Sequence, residues 1–174
     1  MKILVTIILG FGACVSSYAQ KWKPDFLLPL SPESARLNNV DLASYLQSDF
    51  DAHRYEQNCV AELSLFYFRV NYEGKIDSVY SNGTLNKEAV TAVYKNIYKT
   101  QGKWKIPTGT SPIDNCWFVY PYFLFGNMSD CKENQEILYS MHSLYQFLSA
   151  SKTHEDWKGR VVLPPNPHAN LSYK

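Results

Sequence analysis

Between Glu62 and Tyr72 the chain reads ELSLFYFRVNY. Side chains alternate sides along an extended strand, so Phe66, Phe68 and Val70 share one face, and Leu63, Leu65 and Tyr67 share the other. Apolar residues on both faces predict a central strand covered on both sides, at least along its first half. Glu73-Gly74 closes a tight turn, because glycine reaches the positive φ that hairpin turns demand. Ile76 to Tyr80 then alternates as a second, weaker strand. Asn82-Gly83 breaks that strand, and Asn86 caps a helix over about 87–100. Ala89, Val90, Val93 and Ile97 form the apolar stripe of this helix, with Tyr94 and Tyr98 alongside, and Gly102 stands where a terminator belongs. The loop KWKIPTGTSPID leads to a third strand, CWFVYPYFLF, from Cys116 to Phe125. Pro121 has no N–H to give a neighbour, which places this strand at a sheet edge.

The flanks carry weaker patterns. Gln20 to Glu33 holds Pro24, Pro29 and Pro32 and reads as an extended lead-in. Leu42, Tyr45, Leu46 and Phe50 recur at helical spacing, predicting a short helix around 40–50 capped by Asn39 or Asp41. From Lys132 to Ala150 a final helix is predicted, with Ile137, Met141, Leu144, Tyr145 and Leu148 on the face that meets the sheet or the first helix. The tail, VVLPPNPHANLSYK, is Pro-rich and reads as an extended wrap over the surface. No internal repeat interrupts this order, and 174 residues suit one domain.

The opening residues, MKILVTIILGFGACVSSYAQ, change where the protein is expected to work. Lys2 supplies a positive start, Ile3 to Val15 an apolar run too short to span a bilayer, and Ser17-Tyr18-Ala19 the small residues of a cleavage site before Gln20. Residues 1–19 therefore read as a signal peptide, and the chain is expected in the periplasm or cell envelope. Gly12-Ala13-Cys14 offers an alternative, a lipoprotein anchored through Cys14. Seventeen Lys and Arg stand against sixteen Asp and Glu, and loss of Lys2 with the leader leaves sixteen of each. No clustered basic surface follows, so neither nucleic acid nor an anionic membrane is an expected partner. Thirteen Tyr, nine Phe and four Trp point instead to sheet and interface surface.

Four ordered motifs resemble the TonB C-terminal domain. FRVNYEGKIDSV is similar to its opening pattern F-x-V-x-x-x-G-x-I/V-x-x-V. LNKEAVTAV resembles its helix, L-D-x-x-A-x-x-A-V. Trp104-Lys105-Ile106-Pro107 resembles its W-x-P segment, and VYPYFLF its closing strand. The resemblance covers rather over a third of the chain. It implies an α+β fold: a three-stranded antiparallel sheet in the order 2-1-3, backed by the helix between strands two and three, here with added N- and C-terminal helices. The organisation is then a signal peptide over 1–19, an extension over 20–59, the TonB-like domain over 60–127, and a helix with a Pro-rich tail over 128–174. In that family the domain takes an extended segment of an outer-membrane transporter onto the edge of strand three, where backbone hydrogen bonds supply affinity and alternating side chains supply selectivity. Carried onto this chain, the docking edge comprises Trp117, Val119, Tyr120, Tyr122, Phe123 and Phe125. A transducer also has a membrane anchor and a long Pro-rich spacer. Only about forty residues separate this cleavable leader from strand one, too short a reach. The implied role is a stand-alone protein-interaction module that binds a peptide or partner strand and is linked to TonB-dependent transport. The alternative is a structural sheet-edge homodimer.

Catalysis is a distant third reading. Cys116 with His53, His142, His154 or His168 would supply a nucleophile and base, yet no local signature of a catalytic cysteine surrounds Cys116. His154-Glu155-Asp156 lacks the spacing that puts two imidazoles on one helix face. No enzyme activity, cofactor or metal is expected. After loss of Cys14 three cysteines remain, enough for one bridge. In the sheet order that the resemblance implies, the start of strand one lies beside the end of strand three, which makes Cys59–Cys131 the expected disulfide and three unpaired thiols the alternative. The closed loop is worth about 4 kcal/mol by chain entropy. Mass spectrometry of the unreduced protein checks it: a Cys59–Cys131 peptide pair is expected, and a Cys59–Cys116 pair overturns both the pairing and the sheet order.

Overall fold

The computed structural model describes residues 22–27, 42–47, 61–125, 135–150, 155–157 and 160–166. Cys14, Cys59, Cys131, His53, His154 and His168 lie outside them, as does the leader. In chain order the elements are β1 (Asp25–Phe26), α1 (Leu42–Gln47), β2 (Ala61–Asn71), β3 (Ile76–Gly83), α2 (Lys87–Tyr98), β4 (Trp104–Lys105), β5 (Asn115–Phe125), α3 (Gln135–Ala150), β6 (Glu155–Trp157) and β7 (Arg160–Val162). The fold is α+β. A two-stranded sheet joins β1 to β4, and a five-stranded mixed sheet runs β3-β2-β5-β7-β6. Among the described residues no helix is long and apolar enough to cross a membrane.

The expected three-stranded sheet is corrected here: after α3 the chain returns and adds two strands beyond β5. Every pair is antiparallel except β5–β7, which is parallel. The turn between β2 and β3 forms for the expected reason. Gly74 takes φ 75°, and the Asn71 side chain accepts hydrogen bonds from the Glu73 and Lys75 amides, both at 3.0 Å. Lys75 donates to Glu73 at 2.7 Å, which holds that carboxyl below its ordinary value. One residue later the register slips, so that Asp77 bulges out of β3 and meets the Arg69 guanidinium at 2.7 Å.

Alternation along β2 sorts the molecule into two layers. Ser64, Phe66, Phe68 and Val70 are buried on one face, beneath α1 and α2. Tyr120, Phe118 and Cys116 join them from β5, and Val93 and Ile97 from α2. Each fully buried Phe or Tyr in this layer contributes about 1.5–3 kcal/mol by leaving water. Asn86 caps α2 by accepting from the Ala89 amide at 3.0 Å, and Glu62 on β2 accepts from the Asn86 amide at 3.0 Å, tying the helix start to the sheet. Tyr120 donates to the Ala43 carbonyl and Asn96 to the Leu46 carbonyl, both at 3.1 Å, which seats α1. Trp104 fixes the approach to β5 by donating to Thr100 at 3.1 Å while its ring lies 5.0 Å from Phe118.

On the opposite face α3 covers only one end of the sheet. Met141, Tyr145 and Leu148 pack on Ala61, Leu63, Phe123 and Phe125. Ile137 and Leu144, expected on that stripe, are exposed instead, because the covered patch is only two residue rows deep.

β3 continues to Gly83 rather than stopping before Asn82. Gly83 has φ 152°, and a Cβ there would sit 2.1 Å from the Leu63 carbonyl oxygen and 2.5 Å from Ser64 Cα. Only a hydrogen fits against that backbone. Gly102 has φ 74° but open space around it. Gly83→Ala is expected to cost about 3 kcal/mol and Gly102→Ala about 1 kcal/mol. Urea denaturation checks the contrast, and equal midpoints for the two variants would refute it.

Candidate functional site

The six residues expected to form the docking edge are not on one surface. β5 alternates, so Tyr120 and Tyr122 point into the helix-covered core, exposed by 0% and 1%. Burial pushes the Tyr122 phenol above its ordinary range. Phe123 and Phe125 face the other way but lie under α3, with the Tyr145 ring 5.5 Å from Phe123. Val119 is buried on that same face. Trp117 alone of the six is half-buried rather than buried. Its row on the sheet runs Arg69, Trp117, Arg160.

The backbone edge of β5 is occupied. β7 pairs with it in parallel over three residues, Trp117 to Val119 against Arg160 to Val162. The Leu163 amide then donates to the Val119 carbonyl at 2.8 Å. Pro164 and Pro165 follow, neither with an N–H, so the ladder stops there. At Phe123 a side chain takes over. Asn166 Oδ1 accepts from the Phe123 amide at 2.7 Å, and Asn166 Nδ2 donates to the Phe123 carbonyl at 2.9 Å. One planar carboxamide thus offers the donor and acceptor that a neighbouring peptide group would offer. Tyr145 on α3 donates to the Asn166 carbonyl at 3.3 Å, securing the far end.

This geometry corrects the placement of the third strand at an edge and explains why Pro121 suggested it. Val119 and Phe123 turn their backbone groups outward to the tail, so Pro121, which shares their parity, does the same. Its missing N–H therefore removes no bond to β2. It faces the stretch where Pro164 and Pro165 also lack donors.

Beyond the reach of α3 the open face carries a continuous stack. The Arg160 guanidinium lies 5.4 Å from the Tyr67 ring, and Tyr67 stacks on Tyr80 at 4.7 Å and 9°. Tyr80 meets Trp117 edge-on at 5.8 Å, and Arg69 lies 5.5 Å from the Trp117 ring. These contacts fasten β7 to β2 across β5. Tyr67, Arg69, Tyr80, Arg160 and Asn166 were not singled out from sequence as site residues. The signal that was present is the alternation itself: Tyr67 and Arg69 occupy the uncovered side of β2.

No described geometry supports catalysis through Cys116. Its thiol is buried in the helix-side layer, 3.9 Å from the Trp117 carbonyl. His142 is carried by α3 on the opposite side of the sheet, 3.4 Å from Gln146. Among the described residues no group of three His, Cys, Asp or Glu is placed to hold a metal.

Asn166→Ala is expected to cost about 1–3 kcal/mol, since it strips partners from a buried amide and carbonyl. Amide exchange followed by NMR reads the effect. The Phe123 amide should lose protection at least tenfold, while that of Tyr122, which points to β2, keeps its protection. Unchanged exchange at Phe123 would show that the carboxamide is not its partner.

Compared with known proteins, the chain matches no family model, no curated protein and no solved structure.

Proposed function

We propose that the protein is an exported interaction module of the cell envelope, which binds an extended peptide or a partner's strand along the outer edge of β5. The strand would enter where residues 160–166 now lie. The observation that carries this reading is the way that edge is closed. A three-residue parallel ladder, one further amide and one carboxamide hold it, not a long strand. Such a segment can be exchanged for another that makes the same few main-chain bonds along this edge. The sequence resemblance to TonB C-terminal domains suggests a TonB-dependent outer-membrane transporter as partner. The role is binding rather than chemistry.

Photocrosslinking in cells tests it. A photoreactive residue replaces Trp117, which is half-buried beside the edge. A crosslink to one defined extended segment of an outer-membrane transporter is expected, with several-fold higher yield when Asn166→Ala loosens the tail. A crosslink only to a second copy of the chain would replace the transporter with the sheet-edge homodimer. Crosslinks confined to the chain's own residues 160–166, with and without Asn166→Ala, would overturn strand binding altogether.

A further inference from the structure

We infer that the β5 edge is selective, and that it takes a segment with a cation at its start, alternating aliphatic residues after it, and a carboxamide six residues beyond the cation. The inference rests on the strand-exchange reading above and treats residues 160–166, RVVLPPN, as the resident occupant of the site. Each position of that occupant meets a different feature of the edge.

The first position is read by a ring. Tyr67 is held flat by its stack with Tyr80, so its outer face is fixed where the Arg160 guanidinium sits. A cation is attracted there by the ring quadrupole, and a neutral side chain is not. The Arg160 guanidinium stands 5.4 Å from the centre of that ring, close enough for the ring to recognise its charge. The next positions are read by depth. Val161 and Leu163 are exposed by only 4% and 7% in the helix-side core, whereas Val162 is half-buried on the other face. The two inward positions therefore demand aliphatic residues, and a charge at either would be stranded.

The middle tolerates proline. Pro121 leaves the edge without a donor at its centre, and the occupant passes it with Pro164 and Pro165, which have none to pair. The last position is the most demanding. Asn166 is 2% exposed and must accept from Phe123 N and donate to Phe123 O together. Asp supplies only acceptors when ionised, and Leu supplies neither group. Direction is also set, because the occupant runs parallel to β5. The ligand class is thus a basic, aliphatic, proline-containing peptide with an asparagine at its end.

The test uses the full chain carrying Val161→Asp and Asn166→Ala, which expels the resident segment, and a fluorescent synthetic peptide RVVLPPN as probe. Anisotropy is expected to show binding, weakened about tenfold by Arg→Gln and again by Asn→Leu in the peptide. Tyr67→Leu in the protein should erase the preference for Arg over Gln and leave the Asn preference intact. Equal binding of all three peptides would overturn the selectivity while leaving strand exchange standing. No binding of any peptide to a folded variant whose Phe123 amide exchanges fast would overturn strand exchange itself. If the double variant does not fold, Asn166→Ala alone carries the same measurements.

Discussion

The eleven-residue antiparallel register between β2 and β5, from Ala61–Phe125 to Asn71–Asn115, is the constraint on which everything else hangs. It runs without a bulge, and each pair commits two side chains to the same face. With Phe66 opposite Tyr120 and Phe68 opposite Phe118, the helix-side core is filled. With Arg69 opposite Trp117, the charged row is sent to the other side. A slip of β2 by one residue would exchange these sets and drive a guanidinium into the core. The bulge at Asp77 is on the β3 side, where it bends a peripheral strand and leaves the central pair undisturbed.

That register also decides which backbone groups of β5 face outward. Val119, Pro121 and Phe123 turn away from β2, so the strand presents two complete positions separated by one that has a carbonyl but no N–H. The tail matches this spacing: Leu163 serves Val119, two prolines pass Pro121, and Asn166 serves Phe123. A continuous strand would leave one of its carbonyls without a donor opposite the proline, and the tail breaks its own ladder there at Pro164 and Pro165.

Much of this was legible in the chain itself. The hairpin, the Asn86 cap, the α2 stripe and the position of the third strand follow from periods of two and 3.6 and from turn chemistry. The covering of the third strand was not legible. Arg160 to Val162 is too short for any period to show, and its partner lies some forty residues upstream in a parallel pairing that no turn announces. Pro121 suggested an edge strand, but its missing N–H shows only that the residue makes no donor bond to β2, and the side it turns outward is covered by β7. The site was blurred for a related reason. Trp117 to Phe125 reads as one aromatic run, and only the pleat separates Tyr120 and Tyr122 from Trp117. Asn166 was hidden because a carboxamide acting as a peptide group leaves no trace in composition.

The parallel tail has a consequence in time. The eleven-residue pairing of β5 with β2 needs nothing from residues 160–166, so a folding route that forms it first has an interval before the tail docks. For that interval the outward groups at Val119 and Phe123 belong to an open strand, flanked by Trp117 and by Phe123 and Phe125 before α3 settles over them. Open edges with aromatic neighbours are what drives chains to pair with the wrong strand. The proline in the middle of this one interrupts any long foreign ladder at its third residue. Pro121 thus guards the open edge until the segment that closes it docks.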